Sequence, residues 1–218
     1  MFDTFDRYTV RIRGQFACFT RPEFKTERLS YEILTPSSAR GVLEAILWKP
    51  AIFWRVRRIL LLAPVQFLQF KRNEVNSRVA TARAAAASRT GSGIDDYFVD
   101  YDRAQRNTVA LRDVDYAVEA EMIMTSRAGS ADNPRKFDEM FRRRLERGQF
   151  HMQPYLGCRE FPAIVEPYTG DPAPLAGESR DLGLMLHDIR YDAKGNQAVF
   201  FRARLDKGVV EVPEWRAS

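Results

Sequence analysis

Thr35–Pro50, TPSSARGVLEAILWKP, decides how this 218-residue chain is read. Thr35 carries a side-chain oxygen suited to capping a helix, and Pro36 fits the first helical position, where no amide partner is lost. Ala39, Val42, Leu43 and Ile46 recur at i, i+3, i+4 and i+7, so one helix face is apolar. Pro50 blocks continuation. The helix runs out into Leu47-Trp48-Lys49, an aromatic beside a cation, a combination suited to a stacked base or a phosphate.

Upstream of this helix, Tyr8–Phe19 alternates apolar and basic residues and reads as a strand. Thr20–Ser30 is a polar, basic loop, and Tyr31–Leu34 is a short extended lead into the helix. Downstream, Ala51–Arg58 interleaves Phe53, Trp54 and Val56 with Arg55, Arg57 and Arg58, a pattern suited to phosphate contacts. Ile59–Phe70 is a β-rich run with Pro64 as a bend or edge marker. Lys71–Ser92 breaks the pattern. Its alanines and arginines favour a helix but offer almost no large apolar face, so it reads as a short solvated helix or a mobile loop. Ser88–Gly93 is expected to be its most flexible point.

Thr108–Thr125 alternates again, as one strand or as two with a kink. Asn133-Pro134 opens a second helix with the apolar stripe Phe137, Met140, Phe141 and Leu145. Arg142, Arg143, Arg144 and Arg147 form its other face, and Gly148 ends it. Pro154–Pro167 holds a turn at Gly157 and then a strand. Tyr168–Glu178 is a Pro/Gly linker. Leu182–Val212 holds two or three strands separated by turns at Lys194-Gly195-Asn196 and Asp206-Lys207-Gly208. Strand, helix, strands, strand, helix, strand is the β-α-β-β-α-β order of the ferredoxin-like fold. Two helices on one face of an antiparallel sheet leave the other face open, and RNA-recognition modules use that face.

The net charge is +5 and the sequence pI is about 9.3, which favours an anionic partner: nucleic acid, acidic lipid or an acidic protein face. Arginine dominates the excess, and arginine both chelates phosphate and stacks on bases. Cys18 and Cys158, far apart in sequence, read as two buried free thiols of a cytoplasmic protein. With His151 and His187 they form no metal-ligand spacing, and no metal or other cofactor is expected. No apolar run reaches membrane-spanning length, and the start is not a signal peptide.

Several stretches, in order, resemble one family: Phe19-Thr20-Arg21-Pro22-Glu23 with Ser30-Tyr31, Thr35-Pro36-Ser37, Ala39–Ile46, Trp48-Lys49-Pro50, Arg72-Asn73-Glu74-Val75, Leu111-Arg112-Asp113-Val114, Pro154–Phe161 and Phe200–Leu205. Together they look like the Cas-five family of CRISPR-associated proteins, in its Dvulg (subtype I-C) branch, over about residues 8–212. The resemblance implies an α+β fold of the RAMP superfamily: a ferredoxin-like (RRM-like) domain, placed at 1–168, and a smaller C-terminal antiparallel β-sheet, placed at 169–218. It implies a metal-independent endoribonuclease that cleaves precursor CRISPR RNA in the repeat hairpin. The product keeps its 5′ handle on the protein, which joins the other subunits of a type I-C surveillance complex acting on DNA.

Such cleavage has the ribose 2′-OH attack its own phosphate and leave a 2′,3′-cyclic end. It needs a base, an acid and a cation for the charge on phosphate. The family pattern implies a tyrosine just before the Trp-Lys-Pro motif and an adjacent Lys-His pair at the second helix. This chain has Leu47 at the first position and Lys136-Phe137 at the second, so only the lysine is kept. Lys136 is the expected charge stabiliser. His151 is the leading proton-transfer candidate because of its near-neutral side-chain pKa, with Tyr155 assisting, and Tyr31 and Lys49 as further possibilities. The RNA-binding set is Trp48, Lys49, Arg55, Arg57, Arg58, Arg142, Arg143, Gly157 and Arg159, Gly157 supplying a tight turn close to RNA backbone. Two other readings stay open: a non-catalytic scaffold on the crRNA handle, motivated by Leu47 and Phe137, and a nonspecific duplex-DNA binder, motivated by charge alone.

Overall fold

Thr35 caps the first helix as its chemistry predicts: its side-chain oxygen accepts a hydrogen bond from the Ser38 amide at 3.3 Å. The helix buries Pro36, Ala39, Val42, Leu43, Ala45 and Ile46, the whole apolar face. The computed structural model describes residues 4–24, 26–77, 79–93, 98–192 and 195–214. In chain order the elements are β1 (Thr4–Ala17), β2 (Arg28–Leu29), α1 (Pro36–Ile46), β3 (Ile52–Leu61), β4 (Phe67–Val75), α2 (Thr81–Thr90), β5 (Arg103–Met124), α3 (Pro134–Glu146), β6 (Ile164–Pro167), β7 (Arg180–Asp192), β8 (Gly195–Leu205) and β9 (Val209–Glu211). Lys194, where the sequence places part of a turn, lies outside the described residues.

The chain is a mixed α/β protein built mainly on an antiparallel sheet of order β6-β1-β5-β3-β9. β5 is the hub. Its C-terminal half pairs with β1 (Val10↔Val118) and with β3 (Ile59↔Val118). Its N-terminal half pairs with β4 (Phe70↔Thr108) and, in parallel, with β2. The kink expected in this stretch falls at Asp113, whose φ of 51° is one of the few left-handed values that a short polar residue tolerates. N-terminal to Asp113, β5 and β4 form a two-stranded arm that leads to α2.

The arm corrects one sequence expectation. Lys71–Val75 is not part of a helix or loop but continues β4, because each residue finds a partner on β5 from Asn107 to Arg103. The solvated helix begins only at Thr81, and it buries none of its residues. Pro64 lies between β3 and β4, so the run from Ile59 to Phe70 is two strands rather than one bent strand.

α1 and α3 cover one face of the sheet. Tyr8, Trp54 and Phe141 meet there with ring centroids 4.5–5.4 Å apart, and the Tyr8 hydroxyl donates to Asp138 of α3 at 2.6 Å. Edge-to-face pairs of this kind add about 0.5–1.5 kcal/mol each beyond area burial. β7 and β8 form a separate two-stranded hairpin, and β9 returns to the main sheet against β3. Arg40 of α1 ties the hairpin down by pairing with buried Asp188 at 2.8 Å.

Candidate nucleic-acid interface

The end of α1 builds the most distinctive corner of the molecule. The last carbonyls of a helix have no intrahelical partner, and here three carbonyls in a row find others. Ala45 O accepts from the His151 amide (3.1 Å), Ile46 O from Arg144 Nη1 (2.7 Å) and Leu47 O from Trp54 Nε1 (2.9 Å). The Arg144 cation also suits the negative end of the helix dipole. With its backbone so held, Leu47 turns its side chain fully into the core. Trp48 is turned outward and is 53% exposed.

Trp48, Lys49, Pro50, Ile52, Phe53, Thr125, Ser126 and Arg127 line an open groove of about 210 Å³. Beside it α3 begins. Asn133 caps α3 by accepting from the Lys136 amide at 2.9 Å, and Pro134 takes the first turn. Lys136 Nζ donates to Asp132 at 3.2 Å. The Gly129 amide, then Lys136, hold the Asp132 carboxyl below its usual range, and Lys49 adds to this at longer distance. Lys136 and, at longer range, Lys49 therefore act on one carboxylate, and Trp48 lines the groove together with Lys49. The N-terminal end of α3 adds positive potential at the same place. Arg127 and Asp132 are members of this corner that sequence reasoning missed. The Asp132/Lys136 spacing of i, i+4 was the available signal.

Of the other proposed catalytic residues, His151 is tied to the end of α1 through its backbone amide on Ala45 O. His151 is exposed beyond the far end of α3, about 15 Å of helix rise from the turn that holds Lys136. Tyr155 is half-buried in the following loop and bridges to Pro162. Phe137 is buried among the core residues, as its place in the apolar stripe requires.

The basic candidates are distributed over separate surfaces. On the open face of the sheet Arg57 pairs with Glu121 (2.9 Å) and Glu214 (2.7 Å). Arg55 pairs with Glu214 (3.5 Å), and Arg58 with Glu119 and Glu211 (both 2.9 Å). The same face carries Arg11 on Asp115 (2.6 Å), Arg13 on Glu166 (3.3 Å) and Arg7 on Glu121 (3.6 Å). It is a charge-balanced lattice, so the net positive charge must reside elsewhere. The exposed large aromatics, among the described residues, also avoid it and lie in loops, arm and hairpin. Arg142 on α3 pairs with Asp138 (2.7 Å) and covers the Tyr8 ring, whereas Arg143 is exposed. Arg159 is exposed in the loop after Gly157. Gly157, with φ of 81°, approaches the chain's own backbone at Cys18, and that contact accounts for the glycine.

The corner's pairing of an exposed aromatic with cations is the chemistry of a single-stranded nucleic-acid site. The family model for Cas5d, described as a CRISPR-associated protein, matches residues 8–213. The chain belongs to the Cas5d family. The CRISPR pre-crRNA endoribonuclease Cas5d of Mannheimia succiniciproducens is 45% identical to it over 97% of each chain. The protein of the same name from Thermus thermophilus is 40% identical over 95% of this chain and 91% of its own. Among solved structures, a CRISPR-associated protein superposes with a TM-score of 0.71 at 20% identity, covering 98% of this chain and 95% of that one. A chain of a CRISPR RNA-guided surveillance complex superposes with a TM-score of 0.51 at 14% identity over 95% and 91%. These likenesses show that this Cas5d-family chain shares its fold with CRISPR-associated proteins. Among its described residues, no helix is long and apolar enough to cross a membrane.

Proposed function

We propose that this protein is a pre-crRNA endoribonuclease that binds the repeat of precursor CRISPR RNA across the corner where α1 ends and α3 begins. The observation that carries the reading is the near full-length identity to two proteins named for that activity. In this reading Trp48 stacks on an unpaired base, while Lys49 and Arg127 neutralise backbone phosphate. Lys136 stabilises the charge that develops on the scissile phosphate when the 2′-OH attacks. His151 and Tyr155 transfer protons, which requires the RNA to run along α3 toward its far end. Arg142, Arg143 and Arg159 lie on the surfaces such a path would cross. Arg55, Arg57 and Arg58 have a lesser part, since carboxylates already neutralise them.

The fold of the first 168 residues is read as ferredoxin-like. Strands β1, β3, β5 and β6, taken as first to fourth, lie in the order fourth-first-third-second, which supports that reading. Residues 169–218 then form the smaller C-terminal unit, with β7 and β8 as its sheet. The product RNA stays on the protein through its 5′ handle, and the protein joins a cytoplasmic surveillance complex.

The test is incubation of the purified chain with its own repeat RNA in EDTA. A product ending in a 2′,3′-cyclic phosphate is expected, and Lys136→Ala, His151→Ala and Tyr155→Ala should each slow its formation. A second reading, a crRNA-binding scaffold without nuclease activity, rests on Leu47 and Phe137 being buried apolar side chains. Repeat RNA bound tightly but left intact would establish it in place of the first. Binding to duplex DNA as tight as to the repeat hairpin, with a steep salt dependence, would favour nonspecific charge over both.

A further inference from the structure

Unassigned chemistry lies where β1 ends. Cys18 follows β1 directly, and Cys158 follows Gly157 in the loop that packs against it. The Cys18 amide donates to Leu156 O at 3.0 Å, and Cys158 Sγ lies 3.8 Å from Cys18 O. Both thiols are free. Cys18 is 0% exposed and Cys158 8%.

The surroundings of the two sulfurs differ. Arg28 Nη1 approaches Cys158 Sγ at 3.4 Å. Cys18 Sγ has Thr20 Oγ1 at 3.7 Å and the Val109 carbonyl at 4.0 Å, with no cation hydrogen-bonded to it among the described residues. The Arg28 guanidinium therefore favours a thiolate at Cys158 rather than at Cys18. The neighbouring Cys18 thiol, together with Arg28, pulls the Cys158 thiol down, and the pairing with Cys158 pushes the Cys18 thiol up. A buried cysteine with a cation on its sulfur differs from the inert thiols of ordinary cores.

We propose that Cys18 and Cys158 form a reversible dithiol–disulfide site for low-molecular-weight disulfides, with Cys158 attacking and Cys18 resolving. The Cys158 thiolate attacks one sulfur of the small disulfide; a mixed disulfide forms at Cys158 and one small thiolate leaves. Cys18 gives its proton to that thiolate and attacks Cys158 Sγ. The Cys18–Cys158 bond forms and the second small thiolate leaves. The second small thiolate takes from water the proton that Cys158 had released to it; one small disulfide is thus reduced to two thiols, and the two protein thiols become one disulfide. Oxidation removes the negative charge facing Arg28, which also pairs with Glu74 of β4 (3.2 Å) and with Glu160 (3.4 Å). The site thus adjoins the β4–β5 arm.

The full chain is treated with oxidised glutathione under native conditions, quenched with acid and mapped by mass spectrometry without reduction. A Cys18–Cys158 cross-linked peptide is expected, and dithiothreitol should restore both thiols. In Cys18→Ser the reaction should stop at a glutathione adduct on Cys158, and Cys158→Ser should form no adduct at Cys18. Native iodoacetamide labelling of the unmutated chain gives a readout that no folding defect can confuse: Cys158 should label faster than Cys18. Two thiols that stay free while the denatured chain reacts, or labelling led by Cys18, would overturn the proposal.

Discussion

Gly157 is pressed against Cys18: a Cβ at position 157 would lie 2.1 Å from the Cys18 carbonyl oxygen. The backbone there also has a φ of 81°, which side chains other than hydrogen resist. Gly157→Ala should therefore cost roughly 2–5 kcal/mol from strain and overpacking together. Chemical denaturation measures this. RNA affinity per folded molecule should stay unchanged, because the close approach is to the protein's own chain.

The two tryptophans flanking Pro50 should separate binding from stability. Trp54 is buried and its ring packs on Phe141 at 4.5 Å, so Trp54→Ala should lose about 3–5 kcal/mol of stability. Trp48 is exposed, and Trp48→Ala should change stability by no more than about 0.5 kcal/mol. The same change should weaken repeat-RNA binding by about 1–3 kcal/mol if one base stacks there. Filter binding on both variants provides the comparison.

Lys49 and Arg57 should differ in the salt dependence of RNA binding. Lys49 is an exposed cation of the corner, so Lys49→Ala should lower the slope of log affinity against log salt by about 0.7 for single-stranded RNA. Arg57 is already neutralised by Glu121 and Glu214, so Arg57→Ala should leave the slope unchanged. Its effect should instead be a loss of stability of roughly 1–3 kcal/mol from broken charged hydrogen bonds.

Arg40 and Asp188 join α1 to the C-terminal hairpin at 2.8 Å, with the carboxylate buried. Asp188→Ala leaves Arg40, among the described residues, with Glu44 at 3.7 Å as its remaining carboxylate partner. The expected cost is about 3–5 kcal/mol, the usual result of breaking a buried pair from one side. Amide exchange should quicken in β7 and β8 before it does in β1 and β5.

Asp132 gives the corner a pH dependence of defined sign. Its folded-state carboxyl is held below the usual range by the Gly129 amide and by Lys136. A depressed carboxyl stabilises the fold above its unfolded pKa, and the contribution is lost as pH falls through the lower folded value. The stability gap between the unmutated chain and Asp132→Asn should thus be present at neutral pH and close on acidification. Thermal melts across that range test it. Asp132→Asn should also tighten RNA binding at neutral pH by releasing Lys136.

Features that depend on near neighbours in the chain are legible without a fold. Thr35 with Pro36 and Asn133 with Pro134 mark both sheet-covering helices, because capping and φ restriction act over three or four residues. Apolar periodicity placed Val42, Leu43, Ile46, Phe137 and Phe141 in the core for the same reason. The ordered family stretches identified the chain as Cas5d-like from about residue 8 onward.

Which charges are already paired, and which cysteines meet, follows from strand pairing and loop packing over long separations. Arg57 finds Glu121 and Glu214, and Cys158 finds Cys18, across separations of 64, 157 and 140 residues. Strand order and register set those encounters, and no local rule encodes them. Lys136 and His151 are much nearer in sequence, with most of α3 between them. In sequence they seemed parts of one site, but α3 holds them at opposite ends, since a helix advances about 1.5 Å per residue. Basic residues could be counted from composition. Whether each faced a carboxylate or open solvent depended on the fold.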